Sequence, residues 1–151
     1  MTNVRQPDLQ EWAEEKRRNA ADVAEMLEVP PETYALDAMS LLPALQNYVS
    51  RAPLEDFEQS DWITLHVDLM SFVADYLVRK YGAQWAVAED PRTPRGYRYL
   101  IEVTGRDGRT RQIDPLDVVT KEFSNRPIDI IRMVASAELT LRLASEVSQE
   151  E

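Results

Sequence analysis

Apolar residues recur along this chain at two spacings, and the change between them divides it. From Asp61 to Tyr81 they return every three or four residues, at Trp62, Leu65, Leu69, Phe72, Val73, Tyr76 and Leu77. That spacing predicts a helix with a wide buried stripe. Ser60 stands where a side chain can cap the first turn, and Asp61 suits the positive end of the helix dipole. Arg79 and Lys80 suit the negative end, and Gly82 follows where a left-handed C-cap residue is wanted.

Beyond Gly82 the period falls to two. Gln84 to Glu89 reads as a strand with Trp85 and Val87 on one face, and residues 90–96 (DPRTPRG) as a proline-rich loop. Tyr97, Tyr99, Ile101 and Val103 then alternate with Arg98, Glu102 and Thr104, a half-buried strand. Side-chain parity chooses the next turn. A two-residue turn at Asp107-Gly108 sets Ile113 opposite Glu102, off the apolar face. A three-residue loop with Gly108 left-handed sets Ile113 opposite Ile101 and Arg111 opposite Val103, and is preferred because it keeps the isoleucines together.

Helical spacing holds on both sides of this core stretch, which runs from Ser60 to Phe123. A first helix starts at Pro7 and ends near Val29, with Leu9, Trp12, Ala13, Ala20, Val23, Ala24 and Leu27 on one face. Pro30-Pro31 stops it and starts a second, with Tyr34, Ala38, Leu41, Leu45 and Tyr48 in step, so that the two could pair antiparallel. Pro43 predicts a kink or break near Ser40–Leu42, because a proline inside a helix removes a hydrogen bond. Asp114-Pro115-Leu116-Asp117 starts a short helix with Leu116, Val119 and Phe123 facing inward. A last helix is expected from about Pro127 to Val147, carrying Ile130, Ile131, Val134, Leu139 and Leu141.

The fold class expected is α+β: a bundle-like helical N-terminal half packed with a small antiparallel three-stranded sheet and two C-terminal helices. At 151 residues it should form one domain, 1–151, with loose ends at about 1–6 and 148–151.

Charge changes the picture next. The net charge is −10, but residues 91–111 carry six arginines (92, 95, 98, 106, 109, 111) against Glu102 and Asp107, a local balance of +4. The chain outside that stretch balances at −14. A basic hairpin in an acidic body is the strongest charge feature. There is no Cys, which excludes thiolate chemistry and cysteine-based zinc sites. No 18-residue apolar run or signal-peptide pattern occurs, so a cytoplasmic location and no membrane contact are expected.

Catalysis finds little footing. His66 is the one histidine and borders the apolar stripe, where it reads as structural. Asp114 and Asp117 look like a catalytic pair, yet a helix start accounts for both. The acidic run Glu55, Asp56, Glu58 and Asp61 lacks the glycine and spacing of a calcium loop, and the four glycines form no phosphate-binding pattern. No cofactor, no metal and no enzyme activity are expected.

The succession of helix, Tyr81-Gly82-x-x-Trp85, short sheet and Asp114-Pro115-Leu116-x-x-Val119-x-Lys121 resembles a small bacterial domain family of unknown function. The resemblance spans roughly residues 65–125. It implies a bacterial α+β domain and brings no catalytic residues with it.

The functional expectation is a non-enzymatic protein-interaction module of a bacterium, of immunity or adaptor type, binding another protein through charged surfaces. The contact is expected either at the acidic Glu55, Asp56 and Glu58 or at the hairpin residues Arg95, Arg98, Arg109 and Arg111. The alternative is nucleic-acid binding through hairpin 92–111, with Tyr97 and Tyr99 interleaved. The acidic body disfavours that alternative. An identical subunit is a further partner to consider.

Overall fold

The computed structural model describes residues 8–143. Its α-helices are α1 (Leu9–Met26), α2 (Pro31–Leu36), α3 (Leu42–Arg51), α4 (Gln59–Tyr81), α5 (Pro115–Phe123) and α6 (Ile130–Thr140). Short 3-10 turns at Ala38–Leu41 and Leu54–Asp56 flank α3. Strands β1 (Gln84–Glu89), β2 (Tyr97–Thr104) and β3 (Thr110–Ile113) form one antiparallel sheet in the order β1-β2-β3. The fold is α+β, as the two spacings predict. The expected loose ends at 1–6 and 148–151, the helix start at Pro7 and the helix end at Val147 lie outside the described residues.

The long helix α4 runs through the core. Leu69, Phe72, Val73 and Leu77 are fully buried, and Ile101, Val119, Ile130 and Met133 close on them from the sheet, α5 and α6. Gly82 ends α4 in the left-handed region, at φ +72°. The cap at its other end is not Ser60. The helix begins two residues earlier, with Glu58 as N-cap, because the Asp61 carboxylate accepts the Glu58 backbone N–H at 3.0 Å. Those two residues put Ser60 inside the helix.

Trp85 pairs with Ile101, Ile101 with Ile113, and Val103 with Arg111. This is the three-residue-loop register, and Gly108 sits at φ +82° as that loop requires. Gly105 has a different task. A Cβ there would lie 2.6 Å from the Leu141 carbonyl oxygen, so only glycine lets the hairpin lie against the end of α6. The Arg106 N–H bonds the Arg142 carbonyl at 2.8 Å across that contact.

Four helical expectations change. The break assigned to Ser40–Leu42 begins at Asp37, which is extended and accepts the Met39 N–H; Pro43 then falls in the first turn of α3, where its missing N–H costs nothing. α1 packs chiefly on α4 instead of pairing along residues 31–50, since α2 is only six residues long. The last helix starts at Ile130, capped by Asp129, not at Pro127, and its buried residues include Met133 and Ala137 while Ile131 and Leu139 are exposed. Leu116 faces outward, and Val118 takes its inward place in α5.

Buried polar groups lock the elements together. The Tyr34 hydroxyl donates to Asp75 at 2.6 Å, and Arg79 bonds both Asp75 and the carbonyls ending α2. Burial and the Asp75 carboxylate push the Tyr34 hydroxyl well above the usual tyrosine range. The Tyr76 and Tyr81 hydroxyls both donate to Glu138 on α6. Burial first, then that carboxylate, pushes Tyr81 up to about 12. Among the described residues, no helix is long and apolar enough to cross a membrane.

Candidate functional site

Three of the six hairpin arginines, Arg92, Arg98 and Arg111, are held by carboxylates. Arg98, on the sheet face opposite Tyr97 and Tyr99, reaches Asp114 at 2.6 Å, Asp117 at 3.0 Å and Asp90 at 3.6 Å. Arg92 holds Asp90 from the exposed side, and Arg111 grips Asp107 through two hydrogen bonds of 2.9 and 2.6 Å. Arg95 reaches no carboxylate among the described residues; its guanidinium stands over the rings of Tyr97, Tyr99 and Trp12 at 5.3, 5.5 and 5.9 Å. Arg109 is exposed and makes no ion pair among the described residues. Of the four expected hairpin contacts, Arg98 and Arg111 are therefore committed within the protein, and Arg95 and Arg109 reach no acid.

The carboxylates record these contacts. Hydrogen bonds from Arg92 hold Asp90 below the ordinary carboxylate range, and those from Arg111 hold Asp107 well below it. Asp114 goes the other way. Burial raises it, and Asp117 adds to the rise, even though the Leu116 N–H and Arg98 bind it. The Asp114–Asp117 pair is thus a helix start clamped by one arginine, with Asp114 accepting the Leu116 N–H at 2.9 Å.

The acidic stretch is arranged differently. Glu55, Asp56 and Glu58 are all exposed, and none forms an ion pair among the described residues. Asp61, their neighbour in sequence, is turned to the cap of α4. Among the described residues, no His, Cys, Asp and Glu side chains gather as an ion site.

Directly beyond Glu58 opens a groove of about 620 Å³ between α4 and α5, lined by Gln59, Trp62, Ile63, His66, Val67, Leu116 and Thr120. The α4 members recur at three and four residues and so share one face, and Leu116 and Thr120 lie one turn apart on α5. Ile63 is 56% exposed and Leu116 39%, high values for large apolar side chains. Trp62, expected deep in the core, is only half-buried; it packs edge-on against Phe57 and Phe123 at 5.1 and 5.5 Å and carries Arg126 over its ring at 4.9 Å. His66 has its Nδ1 2.8 Å from the Trp62 carbonyl, which can only accept, so this nitrogen carries the proton. Its ring rests on Phe123 at 4.3 Å.

Sequence reasoning placed Trp62 and Leu116 inside and passed over Ile63 and Val67. One signal was present: Ile63 and Val67 step by four just beside the core stripe, widening it past what one core contact needs. In comparisons with protein-family models, curated proteins and solved structures, nothing matches the chain.

Proposed function

We propose that this protein is a non-enzymatic interaction module, working in the bacterial cytoplasm in an immunity or adaptor role, that captures a helix of another protein in the α4–α5 groove. The observation that carries the reading is an exposed apolar groove that begins one residue beyond Glu58, the last of three exposed acids that form no ion pair among the described residues. A groove between two helices suits a third helix presenting apolar residues at three- and four-residue spacing. Glu55, Asp56 and Glu58 favour basic residues at the end of that helix, and the net charge of −10 speeds the approach of a basic partner. The same charge repels a second copy of this chain. His66, Asp114 and Asp117 are already occupied with a helix carbonyl, an edge-on ring contact and Arg98, which favours a binding role over catalysis. Nucleic-acid binding loses support because Arg92, Arg98 and Arg111 are neutralised in place.

The test uses the whole protein and two labelled 18-residue probe peptides with leucines at helical spacing, one otherwise rich in lysine and one in glutamate. The lysine peptide should bind. Ile63→Asp with Leu116→Asp should weaken it at least about tenfold, since each removes an apolar anchor. Glu55, Asp56 and Glu58 changed to Lys should slow association and flatten its salt dependence. Equal binding of the two peptides, or indifference to the groove substitutions, rejects the reading. So does single-stranded nucleic acid held at about 150 mM salt and lost on changing Arg95 and Arg109 to Ser.

A further inference from the structure

A second cavity, of about 180 Å³, lies where α1, the sheet and the start of α5 meet. Its walls are aromatic. Trp12 and Tyr99 stack with centroids 3.8 Å apart and planes 7° from parallel, while Trp85 meets Trp12 and Tyr97 meets Tyr99 edge-on at 5.6 and 5.5 Å. Two donors here lack acceptors. The Trp12 indole Nε1 is closed off from solvent and has no hydrogen-bond partner among the described residues, a situation that normally costs free energy unless something accepts the proton. The Arg95 guanidinium, exposed beside the same rings, reaches no carboxylate among the described residues.

The acceptors around the cavity are, by contrast, already served. Asp114 takes the Leu116 N–H and Arg98, Asp117 takes Arg98, and Asp90 takes Arg92. The cavity therefore has donors to spare, inside walls that suit a flat apolar ring, while its lining charges balance, Arg95 and Arg98 against Asp114 and Asp117.

We infer that this cavity binds a small planar carboxylate of one aromatic ring. The ring would lie against the Trp12, Trp85, Tyr97 and Tyr99 side chains, and the carboxylate would pair with Arg95. Size allows it, since an apolar cavity of about 150 Å³ holds benzene. Charge selects it: a cationic ligand would face Arg95 in the position over the rings that Arg95 already holds, and an anion would be drawn there. This cavity shares Leu116 with the α4–α5 groove, but the inference does not rest on that groove's function.

Benzoate is the probe, with neutral benzamide and cationic benzamidine as its isosteres, added to the full-length protein and followed by the indole N–H resonances in two-dimensional NMR. Three tryptophans give three such signals, and Trp12→Phe assigns one. Benzoate at up to about 10 mM, enough for a millimolar dissociation constant, should move the Trp12 signal most and bind more tightly than either isostere. Arg95→Ser should weaken benzoate at least about tenfold, as expected for loss of a charge-assisted hydrogen bond, whereas Arg109→Ser on the same hairpin should leave it unchanged. A Trp12 signal unmoved at that concentration overturns the inference, as does benzamidine binding as tightly as benzoate. Equal loss in the Arg95→Ser and Arg109→Ser variants overturns it too, because the effect would then be general charge and not this site.

Discussion

In the hairpin, Arg98 lies within 3.0 Å of Asp114 and Asp117; at the start of the α4–α5 groove, Glu55, Asp56 and Glu58 reach no cation among the described residues. The two regions also differ in what they do with apolar side chains. Tyr99, Ile101 and Val103 of β2 are buried beneath the hairpin, while Ile63 and Leu116 stand open along the groove. A dense run of one charge in the sequence is thus a poor guide to a free charged surface. Arginine, with five donors in a planar fork, finds carboxylates at sheet ends and helix caps, and three hairpin arginines do so here. Of the connector's acids, Glu55 and Asp56 lie on an exposed 3-10 turn and Glu58 at the cap of α4, and none forms an ion pair among the described residues.

The largest effect tests what the two regions share. Leu69 is fully buried in α4, so Leu69→Ala should cost about 2–5 kcal/mol, and the hairpin and the groove should unfold together. Denaturant unfolding that shows a loss under about half a kilocalorie would break the claim that one core supports both.

A smaller effect separates them. Arg98→Ser leaves Asp90, Asp114 and Asp117 close together with one fewer cation, and should cost about 1–3 kcal/mol after allowance for the partial exposure of the arginine. Asp114 is already raised by burial, and losing Arg98 raises it further. An acid whose folded value lies above its unfolded one destabilises the fold as pH rises through that interval. The deficit of the variant should therefore be larger at neutral pH than below the ordinary aspartate value of about 3.9, where the raised Asp114 is protonated. Equal deficits at both values would show that Arg98 acts through packing alone.

The smallest effect is local to the hairpin tip. Arg111 is the chief cause of the low value of Asp107, so in Arg111→Ser the Asp107 carboxyl should rise toward the ordinary aspartate value of about 3.9 while the Arg109 N–H still holds it below. In the parent protein this contact favours the folded state above that ordinary value, and the contribution fades as pH falls toward the depressed one. Carboxyl NMR titration of both proteins reads this directly, and identical curves would mean that the exposed pair does not persist in solution.

Much of this fold was legible along the chain. The core stripe of α4, the Gly82 stop, the strand alternation and the hairpin register each rest on periodicity, on parity or on a residue with a single conformational use. These are local rules, and the neighbouring residues that decide them are close in sequence. Where the reading slipped, the deciding partner was distant or the competition was between adjacent choices. Ser60 lost the cap to Glu58 because a reciprocal bond with Asp61 favours starting two residues sooner. Ile131 and Leu139 have the apolar character of core residues, yet Met133 and Ala137 occupy the face that α6 turns inward.

The candidate site was legible only in part. The acids Glu55, Asp56 and Glu58 and the arginines 95, 98, 109 and 111 were visible as charges, but their pairing was not, because Arg98 meets Asp114 and Asp117 sixteen and nineteen residues away. The apolar wall of the groove was hidden for the same reason. Composition and spacing determined that α4 carries more apolar surface than one face can bury and that the chain is acidic around a basic hairpin. Tertiary structure alone decided which of those residues stay in water. Burial and ion pairing depend on what the fold brings alongside each side chain, and α5, by packing beside α4 while turning Leu116 outward, left the groove open.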